Sequence, residues 1–478
     1  MARLRPAEGD VIDGFVLGAS LHRATMSSLW RVTRQDGARP SEPPLLMKIP
    51  SLAEGDDVSA IIGFELEQMI LPRLSGPHVP RHVASGDFTS LPHLVMEEVI
   101  GESLAAVVGR APLPAEMVVD LGTRIARALQ DLHRQHVLHL DLKPANIMLR
   151  PDGTVVFLDF GLSRHDELPD LLGEESDVPM GTGAYIAPEQ VLGDRGEPRS
   201  DLFALGVILY ELLTGVLPFG SPQRKAGMMT RLWRDPVPPR ALQPDCPAAL
   251  QELVLQCLEV DPANRPSSAA QLAFALSHPD QVPLGARATK LRRDGVWTVV
   301  KRWLSARSSR RMSTTPRIAS TVAGAPIVLA AVDLTGGQDV LSDAIRNHAG
   351  RVLAAEPGAR LACVTVLRTA LLSLEADVSA DDSPAYLQRL VELRAWAGPI
   401  AGGDTARVSF HVIEAVDPAA ALVGYVRHNH IDHVVIGARA SSALRRYLGS
   451  VSAQVVAEAP CTVTVVRVAG GSAQPEPD

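Results

Sequence analysis

The chain has 478 residues, 46% hydrophobic and 21% charged, an ordinary globular composition with length for two to four domains. That excludes disorder along the whole chain, and four cysteines without C-x-x-C spacing exclude a disulfide framework and argue against a structural zinc site. The net charge of −8 divides into −12 over residues 1–277, +8 over 278–325 and −4 over 326–478, so the two large blocks are acidic and no nucleic-acid partner is expected. The longest apolar runs, such as 327–332, are strand-sized and far below the ~20 residues of a membrane span. Met1 to Pro6 lead into no apolar segment of the secretory kind. The expectation is a cytoplasmic protein with no membrane span.

In chain order, residues 10–100 read as strand-rich, with one helical stretch at 61–74. Residues 115–136 carry Val118, Leu121, Ile125, Leu129 and Leu132 at three- and four-residue spacing, the stripe of an amphipathic helix. Residues 201–214 and 248–259 are apolar enough to be buried helices. Residues 278–325 are basic and rich in Ser and Thr, with eight such residues between Ser305 and Thr321. They read as a linker with a short helix at 296–304, whose hydroxyls are accessible phosphate acceptors. Beyond residue 326, strands at 327–332, 361–367, 408–413, 434–437 and 462–468 alternate with helices at 340–354, 384–396, 418–430 and 449–459. That order implies a parallel sheet with helices on both faces.

Lysine is scarce: Lys48, Lys143, Lys225, Lys290 and Lys301 stand against 41 Arg. Where Arg is so preferred, a Lys marks places that need a compact point charge rather than a wide fork. Two of the five fall in motifs. H-L-D-L-K-P-A-N at 139–146 is followed by L-D-F-G at 158–161 and A-P-E at 187–189. Order and spacing match the phosphoryl-transfer signature H-R-D-L-x-x-x-N, D-F-G, A-P-E. Over residues 10–277 the chain resembles the bacterial serine/threonine protein kinases, and the resemblance implies an α+β bilobal kinase fold. It also implies ATP and Mg²⁺ as cofactors, and Ser/Thr hydroxyls of proteins as substrates.

That resemblance assigns roles. Asp141 accepts the proton of the attacking hydroxyl, and Lys143 is the point charge on the transferring phosphate. Asn146 and Asp159 are the metal ligands. Lys48 holds the α- and β-phosphates, and Glu67 is its helix partner, with Glu65 as competitor. Counting back seven from Leu74 favours Glu67. L-V-M-E-E-V at 94–99 resembles the hinge, with Met96 as gatekeeper and backbone groups of Glu97 and Val99 on adenine. G-T-G-A-Y-I-A-P-E at 181–189 resembles the substrate-side loop, with Thr182 near Asp141. Glu189 with Arg265 would be a buried ion pair, and Asp201 the brace of the catalytic loop.

Two positions depart from the family. His22, Ala24 and Ser27 stand where the three glycines of the phosphate-covering loop belong, which should weaken the approach of backbone to phosphate. Leu140 replaces the Arg that pairs with a phosphorylated activation loop. The segment from Gly161 to Gly181 offers only Ser163 and Ser176 as hydroxyls, so switching by phosphorylation there is not expected.

A-A-V-D at 330–333, V-V-I-G-A-R-A-S-S-A-L-R-R-Y-L-G-S-V-S at 434–452 and A-P-C-T-V-T-V-V-R at 459–467 resemble universal stress protein domains. The resemblance implies an α/β parallel-sheet domain for regulation or for homodimer formation. Its phosphate motif departs from the nucleotide-binding members, since Ala440 stands in place of a glycine, although Asp333 remains for adenine or ribose. The reading is an active kinase at 10–277, a linker at 278–325 and a stress-protein-like domain at 326–468. The alternative is a scaffold that binds nucleotide without transferring phosphate.

Overall fold

The computed structural model describes residues 6–23, 27–37, 42–50, 58–86, 91–175, 179–294, 297, 326–335, 340–356, 358–368, 385–401, 407–429, 431–438 and 450–468. The first sheet is built from β1 (Val11–Ile12), β2 (Phe15–Arg23), β3 (Ser27–Arg34), β4 (Leu45–Pro50), β5 (His82–Gly86) and β6 (His93–Glu97), in the order β1-β2-β3-β4-β6-β5, with every pair antiparallel. Alternate residues Phe15, Leu17, Trp30, Val32, Leu45, Met47 and Ile49 bury one face together with Val95, as the two-residue period of a strand requires. Lys48, out of phase with that set, points to the other face.

Helix α1 (Val58–Ile70) follows β4 and is buried on almost every side between Ile61 and Glu67. The helical lobe follows. Its α2 (Ala115–His133) buries all five stripe residues read from the sequence. Next come α3 (Leu171–Glu175), α4 (Arg199–Thr214), α5 (Ala248–Cys257) and α6 (Ala269–Ser277). Nearly every residue of α4 is buried, so it is the axis of the lobe, and it stops at Gly215, whose φ of 75° is the left-handed cap that glycine takes without strain.

Composition alone assigned residues 279–290 to the linker; they pack instead on this lobe. The Gln251 amide donates to the carbonyls of Arg287 (2.7 Å) and Lys290 (2.9 Å), Arg287 pairs with Glu252 and Glu259, and Lys290 pairs with Asp235. The basic character read as that of a linker here complements Glu252, Glu259 and Asp235. The proposed helix at 296–304, apart from Trp297, and the Ser/Thr cluster at 305–321 lie outside the described residues.

The second domain alternates without exception: β7 (Ile327–Ala331), α7 (Val340–Ala355), β8 (Arg360–Arg368), α8 (Ala385–Ala401), β9 (Val408–Ala415), α9 (Pro418–His428), β10 (His433–Gly437), α10 (Ser450–Glu458) and β11 (Thr462–Val466). All pairs are parallel, in the order β9-β8-β7-β10-β11. Ile345, Leu393 and Trp396 of α7 and α8 seal one face, and Leu422, Val426 and Val455 of α9 and α10 seal the other. No helix among the described residues is long and apolar enough to cross a membrane.

Candidate active site

Two short ladders hold the 139–146 loop. Residues 137–138 pair with 164–165, and 147–149 pair with 155–157, so the loop and the D-F-G turn face each other. Asp201 at the start of α4 fixes it from below. One carboxyl oxygen accepts the Leu140 N–H at 2.8 Å; the other accepts the His139 N–H at 2.9 Å and meets the His133 ring at 2.9 Å. Burial pushes this carboxyl up, but the His133 and His139 contacts outweigh it and leave it below its ordinary value. Leu140 has φ of 60° and is 3% exposed. The residue standing where the family has Arg is therefore a buried apolar plug in a left-handed turn, and it carries no charge toward the activation segment.

Asp141 sits at the centre. Its Oδ2 accepts from Lys143 Nζ at 2.7 Å, and its Oδ1 accepts both the N–H and the hydroxyl of Thr182 at 2.8 Å. Lys143 also donates to the Thr182 hydroxyl at 3.1 Å. The Asn146 amide donates to the Asp141 carbonyl at 3.0 Å, which leaves its own side-chain oxygen free to act as a ligand. An alcohol is thus held against a carboxylate with an ammonium beside both.

Across the cleft, Lys48 Nζ donates to Glu67 Oε2 at 2.6 Å and to Asp159 Oδ1 at 3.0 Å. Glu67, not Glu65, receives it, and the second Glu67 oxygen accepts the Phe160 N–H at 3.4 Å, tying α1 to the D-F-G turn. Burial disfavours charge on Lys48, yet Asp159 and Glu67 outweigh it and raise its pKa. Lys48 in turn holds the Asp159 carboxyl down at about 2. Gly63 and Gly161 allow this proximity: a Cβ on Gly63 would stand 3.0 Å from the Gly161 carbonyl oxygen. Asp159 keeps 47% of its side chain exposed to the cleft. With the Asn146 carbonyl it makes a pair of hard oxygen donors of the kind Mg²⁺ takes alongside water and phosphate. Among the described residues there is no cluster of three His, Cys, Asp or Glu that would hold a metal unaided.

Of the hinge residues, Glu97 ends β6 opposite Leu45, and Val99 lies two residues past the strand. The Glu97 carboxylate is taken by Arg150 at 2.7 Å and its N–H donates to the Arg81 carbonyl at 2.9 Å, so its backbone carbonyl is what remains for a ligand there. In the β2–β3 hairpin, His22 pairs with Leu29 just past register shifts between Leu17 and His22, and Ser27 pairs with Pro50 in a regular β3–β4 ladder; Ala24 lies outside the described residues. Glu189 and Arg265 form a bidentate pair at 2.6 and 2.7 Å, with Ser200 donating to the same carboxylate.

One residue escaped the sequence reading. Arg231 is 1% exposed and donates to the carbonyls of Gly183 (2.5 Å), Ile186 and Met228, with Phe219 under its guanidinium. Burial lowers its pKa to about 10. It staples the 181–189 loop from outside any motif, and no spacing rule in the sequence marks it.

The second domain holds a cavity of about 440 Å³ at the carboxyl ends of its strands, lined by Asp333, Thr335, Arg368, Arg389, Gly437 and Ser450 among others. It lies where β7 and β10 diverge into opposite crossovers, the usual crevice of an open α/β sheet. The Asp333 carboxylate accepts the Thr335 N–H at 3.0 Å and the Thr335 hydroxyl at 2.5 Å. Ala440 lies outside the described residues.

Residues 53–279 match the protein kinase domain family, and residues 326–467 match the universal stress protein family. Among relatives, it is 38% identical over 205 residues to the serine/threonine-protein kinase Pkn1 of Myxococcus xanthus, covering 42% of this chain and 29% of that one. It is 31% identical over 221 residues to the serine/threonine-protein kinase PknB of Mycobacterium leprae, covering 45% and 35%. The match thus spans about a third of those relatives' own length. The crystal structure of the PknI kinase domain of Mycobacterium tuberculosis aligns with 57% of this chain and 99% of that one, at 26% identity and a TM-score of 0.43.

Proposed function

We propose that the N-terminal domain, running from about residue 10 to the packed turn ending at Lys290, transfers the γ-phosphate of ATP to serine or threonine hydroxyls of proteins. The single observation that carries this reading is the pair of facing constellations, Lys48–Glu67–Asp159 on one side and Asp141–Lys143–Thr182 on the other. In the reaction, the substrate oxygen forms a bond to the γ-phosphorus as the bridging bond to the β-phosphate breaks, and ADP leaves.

The Thr182 hydroxyl marks where an alcohol can donate to Asp141, the position from which that carboxylate takes the proton. Lys143 lies beside both and neutralises charge on the moving phosphoryl group. Lys48, held by Glu67, orients the α- and β-phosphates, and backbone groups of Glu97 and Val99 meet adenine. Asn146 and Asp159 would hold Mg²⁺, which would supply positive charge to offset that of the phosphates. The second domain serves regulation or pairs two copies of the chain. Incubating the purified full chain with labelled ATP, Mg²⁺ and a general protein substrate tests the reading. Transfer that is lost in Asp159→Ala supports it, and no transfer by the wild type overturns it.

A further inference from the structure

Helix α1 has three faces, and each meets a different neighbour. Gly63 and Glu67 face the D-F-G turn and Lys48. Ile62 and Leu66 pack on Leu171 and Leu172 of α3, in the activation segment. Ile61 and Phe64 belong to the large apolar core of the helical lobe, which also takes in Tyr386, Leu387 and Leu390 of α8 and Val412 of β9. Those four residues come from the second domain. On the same side, Arg394 of α8 bonds Glu65, and its guanidinium lies 4.9 Å over the Phe410 ring. Residues two apart on a helix point about 200° from each other, so Glu65 faces the second domain while Glu67 faces Lys48.

The activation segment is gripped from the same quarter. Glu174 of α3 meets the His411 ring at 3.1 Å, Arg360 at 3.2 Å and the Tyr425 hydroxyl at 3.4 Å. The backbone carbonyls of Gly173 and Glu174 are met by His428 at 3.1 Å and Asn429 at 3.4 Å. Within the kinase domain, Arg195 takes Asp170 of that segment at 3.1 Å through both oxygens. Carboxylates already anchor the segment, then, and Ser163 within it is fully buried, with its hydroxyl donating to the His139 carbonyl.

We propose that the second domain is a docked positioning element of the kinase site. Arg394 on Glu65, and Arg360, His411 and Tyr425 on Glu174, hold α1 and the activation segment in the arrangement that pairs Glu67 with Lys48. A phosphate with an Arg partner commonly orders an activation segment. Here Leu140 has removed the partner and Glu174 supplies a fixed negative charge, whose counterparts, Arg360, His411 and Tyr425, belong to the other domain. Burial would push that carboxyl up, but His411 and Arg360 hold it below its ordinary value. Rotation of α1 would break the contacts on opposite faces together, so docking of the second domain favours one setting of the helix. This inference rests on the kinase reading above; Arg394 and Glu65 are positioning residues that touch no substrate.

The test uses the full chain carrying Arg394→Glu, Glu65→Arg, or both. Each single variant should lower kcat about tenfold, within the ~5–150-fold range of coupling between sites, with little change in KM for a peptide substrate. Amide exchange in residues 58–70 should quicken in both. The double variant restores opposite charges and should recover most of both losses. Arg394→Gln, which places no like charges together, gives the same direction of change should a reversal variant unfold. Wild-type kcat and exchange in the single variants, or a folded double variant as slow as the singles, overturns the proposal. A wild-type chain that transfers no phosphate sinks the kinase reading instead, and the exchange of residues 58–70 still decides the docking.

Discussion

The two domains bury different chemistry. Of the described Asp, Glu, Lys and Arg residues, nine are buried: Glu65, Glu67, Asp141, Glu189, Arg195, Asp201, Arg231, Glu252 and Arg265. All nine belong to the kinase domain; in the second domain the buried polar side chains are neutral types and His411. A buried charge is tolerated only with partners, and those partners come from distant parts of the chain: Arg265 reaches Glu189 across 76 positions. The second domain is instead held by apolar layers such as Trp396, Leu393 and Val435. Both domains have apolar cores, but among the described residues only the first adds buried charge pairings, so the two should fail differently when cut.

The largest effect expected is on chemistry. On the proposed function, Asp141→Asn keeps the shape but loses the proton acceptor, and Lys48→Ala frees Glu67 and Asp159 from their shared cation. Each should reduce transfer by about 10²–10⁴-fold or more, read as initial rate at saturating ATP. Rates near wild type in both would end the assignment of these residues.

Next comes stability, where the contrast between domains is sharpest. Arg265→Met strands Glu189 in a buried site and should cost about 3–5 kcal/mol. Replacing both partners, Arg265→Met with Glu189→Gln, should recover part of that loss, because no lone charge remains. Trp396→Ala in the second domain should cost about 3–5 kcal/mol through a cavity, and no second polar substitution should rescue it. Denaturant unfolding of the four proteins checks this. Failure of the Arg265 double variant to recover would mean that the carbonyls of Arg199 and Glu259, which Arg265 also satisfies, matter more than the ion pair.

The same contrast explains what could be read beforehand. The second domain was legible element by element, since strand and helix periods are local properties. Strands foreseen at 361–367 and 434–437 differ by only a residue or so at their ends from Arg360–Arg368 and His433–Gly437. The 139–146 motif was legible because its residue pattern is compressed into eight positions. Arg231 and the Glu174 cluster were not: the contacts that fix them to the 181–186 carbonyls and to the other domain span 45 to 255 positions and leave no periodic trace. The packing of residues 279–290 was missed for a related reason, since a basic run looks solvated until Glu252, Glu259 and Asp235 are seen beneath it.

The smallest effect expected is at the phosphate-covering hairpin, where neither buried charge nor apolar packing dominates. Ser27 is half-buried in β3, in register with Pro50 of β4, and Ser28 accepts from the Trp30 indole at 3.0 Å, whereas β2 shifts register between Leu17 and His22. Glycine at 24 and 27 would let backbone N–H groups approach the phosphates, each contact being worth on the order of 1 kcal/mol. Glycine also loosens the strand by roughly 0.5–1 kcal/mol per position. The two terms nearly cancel at one position. They do not cancel if two or more N–H groups reach the same phosphate, because the strand loss is already counted. Ala24→Gly with Ser27→Gly should therefore lower KM for ATP by about two- to fivefold at unchanged kcat. An unchanged or higher KM would show that this hairpin covers the phosphates through side chains, and that His22 and Ser27 replace the glycines rather than merely lack their freedom.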